Sequence, residues 1–90
     1  MVSQVVKVVN PSGLHLKPAG TFCARAREYE STITFTFENT TANAKSVLSI
    51  LSACVQAGSE IEIVCNGPDE KEALSALVGL VESGLEEGFV

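Results

Sequence analysis

The sequence predicts an α+β fold with four strands and three helices in the order βαββαβα. Two segments, 32–37 and 60–65, alternate apolar and polar residues, which is typical of strands with one buried face. Two others, 19–29 and 74–85, repeat apolar residues at the three- and four-residue spacing of an amphipathic helix. Asparagine, glycine and proline stand at several of the boundaries, where the chain has to turn. These patterns indicate one antiparallel sheet covered by helices on one face.

The first half of the chain accounts for three strands and one helix. Residues 2–9 are rich in valine and predict the first strand. Pro18 favours a helix that starts nearby, because its fixed φ suits the first turn and its missing N–H is not needed there. A turn at Glu38-Asn39 separates strand 32–37 from a short return strand at 40–43. The predicted core positions of the helix and the second strand are Ala19, Phe22, Cys23, Ala26, Tyr29, Ile33, Phe35 and Phe37.

The second helix is predicted to begin after Ser46, which is a good N-cap residue, and to end before Gly58. Its apolar residues are Val47, Leu48, Ile50, Leu51, Cys54 and Val55. Because the helix has few polar residues, we expect part of its apolar face to be exposed and to serve as a docking surface.

The last strand and helix occupy the acidic end of the chain. Residues 60–65 form the fourth strand, and Asp69 with Glu72 is similar to a capping box for the third helix. The apolar stripe of that helix is Leu74, Leu77, Val78, Val81 and Leu85. Gly84 is expected to end the helix, and residues 86–90 are expected to fray.

The strand order is open at this point. The element order suits a ferredoxin-like split βαβ arrangement. Periodicity alone does not choose between that topology and another antiparallel order.

Composition indicates one small domain, since the chain has 90 residues of which 46% are hydrophobic. The apolar runs are interrupted every few residues, so we expect neither a signal peptide nor a membrane span. Cys23, Cys54 and Cys65 lack a CxxC spacing, and with one histidine they predict no metal site and no cofactor. Each lies on the apolar side of its element, which indicates reduced core thiols and a cytoplasmic protein.

The net charge of −5 is unevenly distributed. Residues 1–45 carry five bases and three acids, for +2, whereas residues 46–90 carry one base and eight acids, for −7. The acidic total argues against nucleic acid as a partner. The bases cluster around His15 in sequence, which suits acidic protein partners and a phosphoryl group. Solvated helix faces would equally explain Arg25 or Arg27 taken singly.

The single histidine, His15, lies at the junction between the first strand and the first helix. Unpaired backbone N–H groups and the helix dipole favour negative charge at such a position. Lys17 follows two residues later. This combination is suited to accepting a phosphoryl group, although a surface residue or a helix cap would also explain a lone histidine here.

Two motifs carry a resemblance to a known family. The run GLHLKPA at residues 13–19 resembles the active-site signature of HPr, the histidine-containing phosphocarrier of the sugar phosphotransferase system. The run AKSVL at 44–48 resembles the regulatory serine segment of the same family, at the separation found there. The resemblance covers residues 1–88 as one HPr-like domain, with 89–90 as a frayed tail. It implies an open-faced β-sandwich with strand order 1-4-2-3 and three helices on one face.

The resemblance implies that His15 takes a phosphoryl group, on Nδ1, from phosphorylated Enzyme I and passes it to sugar-specific IIA domains. Lys17 would stabilise the phosphoryl group and Pro18 would start the helix. Such a protein is a carrier rather than a stand-alone enzyme, and we expect a monomer. The implied partner-binding residues are Ser12, Leu16, Gly20, Arg25, Arg27, Val47, Leu48 and Leu51.

Ser46 has two compatible roles. Its position predicts a helix N-cap. The resemblance makes it the target of the HPr kinase/phosphorylase, whose product binds a catabolite-control transcription factor through the same helix. A phosphate there would suit the helix N-terminus and place negative charge in the surface that meets acidic Enzyme I.

Three positions depart from the family pattern. Lys17 stands where arginine is usual, Leu16 is larger than the usual small residue, and Ser49 replaces a glycine. They indicate a divergent member, and Lys17 puts the transfer rate or the partner range in doubt. The alternative is an HPr-like regulatory paralogue in carbon or nitrogen signalling. A small-molecule sensor domain is a more remote alternative, which gives no reason for the spacing of His15 and Pro18.

Overall fold

The computed structural model describes residues 1–87, and its elements follow the predicted order βαββαβα. The strands are β1 (Val2–Lys7), β2 (Thr32–Phe37), β3 (Thr40–Asn43) and β4 (Glu60–Asn66), and the helices are α1 (Leu16–Ala26), α2 (Val47–Ser52) and α3 (Glu70–Glu82). Among residues 1–87, none of the helices has the length and the hydropathy that a membrane-spanning helix requires.

The four strands form one antiparallel sheet in the order β1-β4-β2-β3. This confirms the order implied by the family resemblance and shows that the ferredoxin-like arrangement is wrong. β4 therefore lies in the interior of the sheet, paired with β1 on one side and β2 on the other. Register places Ile61 opposite Val6, and Ile63 opposite Phe35.

The hydrophobic core lies between the helices and one face of the sheet. Alternation along β2 and β4 directs Ile33, Phe35, Ile61 and Ile63 into this layer, where all are buried. Phe22 of α1 meets Phe35 edge-to-face, with ring centroids 5.9 Å apart and an interplanar angle of 89°. Each fully buried side chain of this size stabilises the fold by about 1.5–3 kcal/mol. The core therefore fixes α1 against the centre of the sheet.

The second helix is shorter than the sequence predicts. It ends at Ser52, and Cys54 then adopts a positive φ of 56°, which a right-handed helix cannot contain. Val55 beyond this bend is still buried in the core. The apolar spacing continues through Val55. This spacing indicates which residues are buried, but it does not show that the backbone there is helical.

The start of α3 also differs from the predicted capping box of Asp69 and Glu72. The Asp69 carboxylate instead accepts hydrogen bonds from the backbone N–H groups of Glu30 and Ser31, both at 2.9 Å, and from the Ser31 hydroxyl. These bonds lower the pKa of Asp69, the Ser31 side chain contributing most. Glu70 accepts from the Gly67 N–H at 3.1 Å. Asp69 thus connects the start of α3 to the two residues that precede β2.

The cysteines divide into two groups. Cys23 and Cys65 are buried, as expected, and burial raises the pKa of the Cys65 thiol. Cys54 is exposed, so its assignment as a core thiol is wrong. The bend at Cys54 turns its side chain away from the core that periodicity predicted. Over residues 1–87, no cluster of three or more potential metal ligands is present.

The segment after α3 is more ordered than predicted where it is described. Gly84, at a φ of +91°, follows the helix as expected. Leu85 is buried, and the Glu87 carboxylate accepts hydrogen bonds from Asn10 and Ser12. Fraying is therefore wrong for Glu87. The predicted fraying of residues 88–90 lies outside the described residues.

Candidate functional site

His15 is the N-cap residue of α1, as the sequence predicts. Its backbone is extended, with φ −80° and ψ −173°, and its carbonyl accepts the Ala19 N–H at 2.8 Å. Within the described chain, its exposed side chain makes no capping hydrogen bond. The imidazole is therefore free to react with a group brought from outside.

The first turn of α1 is an electropositive surface beside this imidazole. Its leading N–H groups have no carbonyl partner within the helix. Pro18, at the third position, is buried and has no N–H to leave unpaired. The turn holds no acidic residue and contains Lys17. An anion attached to His15 therefore meets the unpaired N–H groups of this turn and the charge of Lys17.

The loop that leads to His15 is held against the segment after α2. Gly13 has a φ of +63°, and the Leu14 N–H donates to the Val55 carbonyl at 3.0 Å. A Cβ on Gly13 would lie 2.7 Å from that same carbonyl oxygen. Glycine is therefore required for the conformation and for the close approach of the two backbones.

A buried asparagine joins this loop to the end of the described chain. Asn10 Nδ2 donates to the Gly13 carbonyl at 2.8 Å and to Glu87 Oε1 at 2.9 Å. Ser12 donates its N–H to Glu87 Oε1 at 3.2 Å and its hydroxyl to Oε2 at 2.8 Å. These bonds, the Asn10 and Ser12 side chains first, lower the pKa of the Glu87 carboxyl. The sequence pattern indicates neither Asn10 nor Glu87 as a site residue, because nothing local links residues so far apart in the chain.

The predicted basic residues do not all lie together. Lys17, Gly20 and Arg25 line one shallow groove along α1. Arg25 also forms an exposed ion pair with Glu28 at 3.6 Å. Arg27 instead donates from Nε to the Lys45 carbonyl at 3.2 Å and ties the end of α1 to the segment before α2. The groove thus contains Lys17 and Arg25 but not Arg27.

The Ser46 hydroxyl caps α2, as the sequence predicts, and accepts the Ser49 N–H at 3.2 Å. Ser49, which replaces the usual family glycine, has its own structural role because its hydroxyl accepts the Asn43 N–H at 2.8 Å. The cap and this second bond hold a helix of only six residues in place.

Apolar residues of both α1 and α2 are exposed. Leu16 is 70% exposed and Leu48 is 78% exposed. Val47 and Leu51 are partly buried and pack against the core, and Leu51 shares a small cavity with His15. The prediction that the α2 face is partly exposed is therefore confirmed. We call Leu16, Val47, Leu48 and Leu51 the apolar patch.

The fold and the site together define a class of protein. It is a small open-faced sandwich that presents its one histidine, exposed, at a helix N-terminus, a position suited to hold an anionic group. The family model described as "PTS HPr component phosphorylation site" matches residues 2–83. The chain belongs to this family, the HPr phosphocarriers of the phosphotransferase system.

Similar proteins support this membership over nearly the whole chain. Phosphocarrier protein HPr of Treponema pallidum is 37% identical over 87 residues, covering 97% of this chain and 99% of the relative. HPr-like protein Crh of Bacillus subtilis is 34% identical over 82 residues, covering 91% and 96%. The crystal structure of HPr-C-His from Thermoanaerobacter tengcongensis matches with a TM-score of 0.95 and 36% identity, covering 99% of this chain and all of that one.

Proposed function

We propose that the protein accepts a phosphoryl group on His15 from phosphorylated Enzyme I and passes it to sugar-specific IIA domains. The observation that carries this proposal is the exposed His15 imidazole at the N-terminus of α1, beside N–H groups that carry no anionic partner in the first turn. Phosphoryl transfer depends on position and charge stabilisation, so a small carrier suffices when its partners supply the remaining groups.

The proposed transfer needs only the imidazole as a nucleophile. The Nδ1 lone pair forms a bond to phosphorus while the bond between phosphorus and the donor in Enzyme I breaks, and the donor leaves with that electron pair. The α1 N–H groups and Lys17 stabilise the charge on the phosphoryl oxygens. At a IIA domain the bond between Nδ1 and phosphorus breaks as the acceptor bonds to phosphorus, and the free imidazole of His15 is restored. Lysine provides a point charge where arginine would provide a two-pronged donor, so we expect weaker orientation of the phosphoryl group.

The apolar patch is the proposed docking surface. Leu16 and Leu48 are the exposed large apolar residues of α1 and α2, and Lys17 and Arg25 lie along the same helix as Leu16. An acidic partner with an apolar centre complements this arrangement. Ser12 and Gly20 complete the proposed contact region. Arg27 contributes through the position of α2, since its side chain bonds to Lys45.

Regulation at Ser46 is the finer part of the proposal. Phosphorylation by the HPr kinase/phosphorylase would place a dianionic group at the start of α2, next to the apolar patch. That charge would oppose an acidic Enzyme I surface and would give a catabolite-control transcription factor a new contact. The likeness to HPr-like protein Crh favours one alternative, an HPr-like paralogue in carbon or nitrogen signalling. Action as a cytoplasmic monomer stays a prediction.

The test of the main proposal is phosphorylation by phosphoenolpyruvate and Enzyme I, followed by intact-mass measurement. We expect one acid-labile phosphate on the wild-type protein and none on His15→Ala. Subsequent mixing with a IIA domain should remove that phosphate. A full phosphate on His15→Ala, or an unmodified wild-type protein, would refute the assignment. A protein that Enzyme I does not phosphorylate, but that still acts in carbon or nitrogen signalling, would favour the regulatory paralogue.

A further inference from the structure

The Glu87 carboxylate occupies a position in the site that the phosphocarrier reaction does not itself require. It accepts three hydrogen bonds from two residues of the loop before His15: one from Asn10 Nδ2 and two from Ser12. Both carboxylate oxygens are used, Oε1 by Asn10 Nδ2 and the Ser12 N–H, and Oε2 by the Ser12 hydroxyl. No other side chain among residues 1–87 contacts this loop through so many hydrogen bonds.

We propose that Glu87 is a positioning residue for His15, whose carboxylate holds loop 10–15 in the shape that presents the imidazole for transfer. This inference rests on the proposed phosphocarrier function and adds to it a residue from the opposite end of the described chain. Glu87 acts through Ser12 and Asn10 and does not take part in the chemical step.

Asn10 can connect Glu87 and Gly13 in only one orientation of its side-chain amide. It is fully buried, and its Nδ2 donates both to Glu87 and to the Gly13 carbonyl, two residues before His15. An amide turned the other way would point Oδ1 at two acceptors, so only the observed orientation satisfies Glu87 and Gly13 together. Its Oδ1 is then left buried without a hydrogen-bond partner in the described chain. In this orientation both N–H donors of Asn10 Nδ2 form hydrogen bonds, and the lost hydrogen bond of Oδ1 is the energetic cost.

Few other hydrogen bonds fix the position of this loop relative to α1. The Leu14 N–H bonds to the Val55 carbonyl, and the Gly13 N–H bonds weakly to the Asn10 carbonyl at 3.3 Å. Between β1 and Leu14, Ser12 is therefore anchored mainly through Glu87. Loss of the carboxylate would free Ser12 and one donor of Asn10, and the imidazole would occupy its productive position for a smaller fraction of the time.

Glutamine separates the role of geometry from the role of charge. Glu87→Gln keeps an acceptor oxygen for Asn10 Nδ2 and the Ser12 N–H, which share one carboxylate oxygen. The Ser12 hydroxyl can then accept from the new amide instead of donating. Glu87→Ala removes all three bonds. Glu62→Gln is the matched control, because it removes an exposed carboxylate of the same charge from β4, and Glu62 is not part of the groove that Lys17 and Arg25 line.

The kinetic experiment measures His15 phosphorylation by Enzyme I and phosphoenolpyruvate for these four proteins. We expect Glu87→Ala to lower kcat at least fivefold and to change the KM of Enzyme I for this protein by a smaller factor, because the apolar patch is intact and Ser12 is the one residue of the contact region that loses its bonds to Glu87. Glu87→Gln should stay within twofold of the wild type, as should Glu62→Gln. An unchanged rate in folded Glu87→Ala overturns the proposal. An equal loss in Glu87→Gln and Glu87→Ala also overturns it, since charge and not position would then be responsible.

A second measurement does not depend on transfer. Amide hydrogen exchange followed by NMR should show faster exchange at Ser12 in Glu87→Ala, and near-wild-type exchange in Glu87→Gln. Unchanged exchange at Ser12 overturns the tie itself, whatever the kinetics show. A wild-type protein that Enzyme I does not phosphorylate refutes the proposed function instead, and slower exchange in the wild type than in Glu87→Ala would then identify a purely structural tie.

Discussion

Replacement of Gly13 by alanine tests whether the loop before His15 has to touch the segment after α2. Gly13 has a φ of +63°, and an added Cβ would lie 2.7 Å from Val55 O, 2.8 Å from Gln56 Cα and 2.9 Å from Ala57 N. All three contacts are with backbone atoms, so rotation of a side chain cannot relieve them. The backbone of one segment or the other has to move.

Two terms set the expected magnitude. The left-handed conformation costs an L-residue about 1–2 kcal/mol. Displacing packed groups to admit an extra methyl costs about 1–3 kcal/mol. We therefore expect Gly13→Ala to lose about 2–5 kcal/mol of unfolding free energy. In a domain of this size that corresponds to a drop in melting temperature of about 8 °C or more.

Two other glycines provide controls for the separate terms. Gly58 has a φ of +88° with nothing within 4 Å of an added Cβ, so Gly58→Ala measures conformational strain alone. Gly79 lies inside α3 with open space around it, and Gly79→Ala should gain about 0.5–1 kcal/mol from better helix propensity. Urea unfolding gives all three free energies, and phosphorylation by Enzyme I well below the melting point reports on His15. If Gly13→Ala matched Gly58→Ala in stability and the wild type in rate, the close approach would have no consequence.

Four shorter predictions concern other parts of the molecule. Ser46→Ala should lose about 1 kcal/mol with the cap and keep its transfer rate, whereas Ser46→Asp should keep its melting temperature and lose most of its phosphorylation rate; a fast, folded Ser46→Asp would leave only the cap. Lys17→Glu should slow phosphorylation strongly in low salt and less in high salt, while Lys17→Arg should match or exceed the wild type; equal rates for Lys17→Glu and wild type in low salt would remove this residue from the site. Because hydrogen bonds lower the pKa of Asp69 below its ordinary 3.8, the wild type should be more stable than Asp69→Asn at neutral pH, and the difference should fade as the pH drops through the lowered pKa; a difference in urea unfolding that persists at lower pH would contradict this. A thiol reagent should label Cys54 first in the folded protein and reach Cys65 only on unfolding, as intact mass would show; simultaneous labelling would contradict the burial described.

Much of the element order was predictable from local pattern. Alternation located β2 and β4, and apolar spacing with Pro18 located α1. The position of His15 at the start of α1 and the N-cap role of Ser46 were also predicted correctly, because a helix start depends on residues within one turn. Each of these features depends on residues that lie close together in the sequence. Side-chain type and backbone preference are enough to specify them.

The errors occur where backbone conformation or distant contacts decide. The length of α2 was wrong because the positive φ at Cys54 leaves no trace in hydrophobic periodicity. Asp69 was assigned to its own helix, but it bonds to Ser31, which lies next to it only through the strand order. That order came from the family resemblance and not from the pattern. Glu87 was missed for the same reason, since its contact with Ser12 joins the two ends of the described chain.

The strand order also constrains how a newly synthesised chain acquires its site. β1 has a single neighbour in the sheet, β4, so the first strand to leave the ribosome has no partner until residues 60–66 follow. The β2–β3 hairpin is the local pairing in the sheet and is available much earlier. The loop that carries His15 is anchored to segments on both sides of β4 in the chain. A partly synthesised chain therefore contains His15 long before it contains the contacts that hold the His15 loop, and those contacts are complete only after the late strand has closed the sheet and residue 87 has followed.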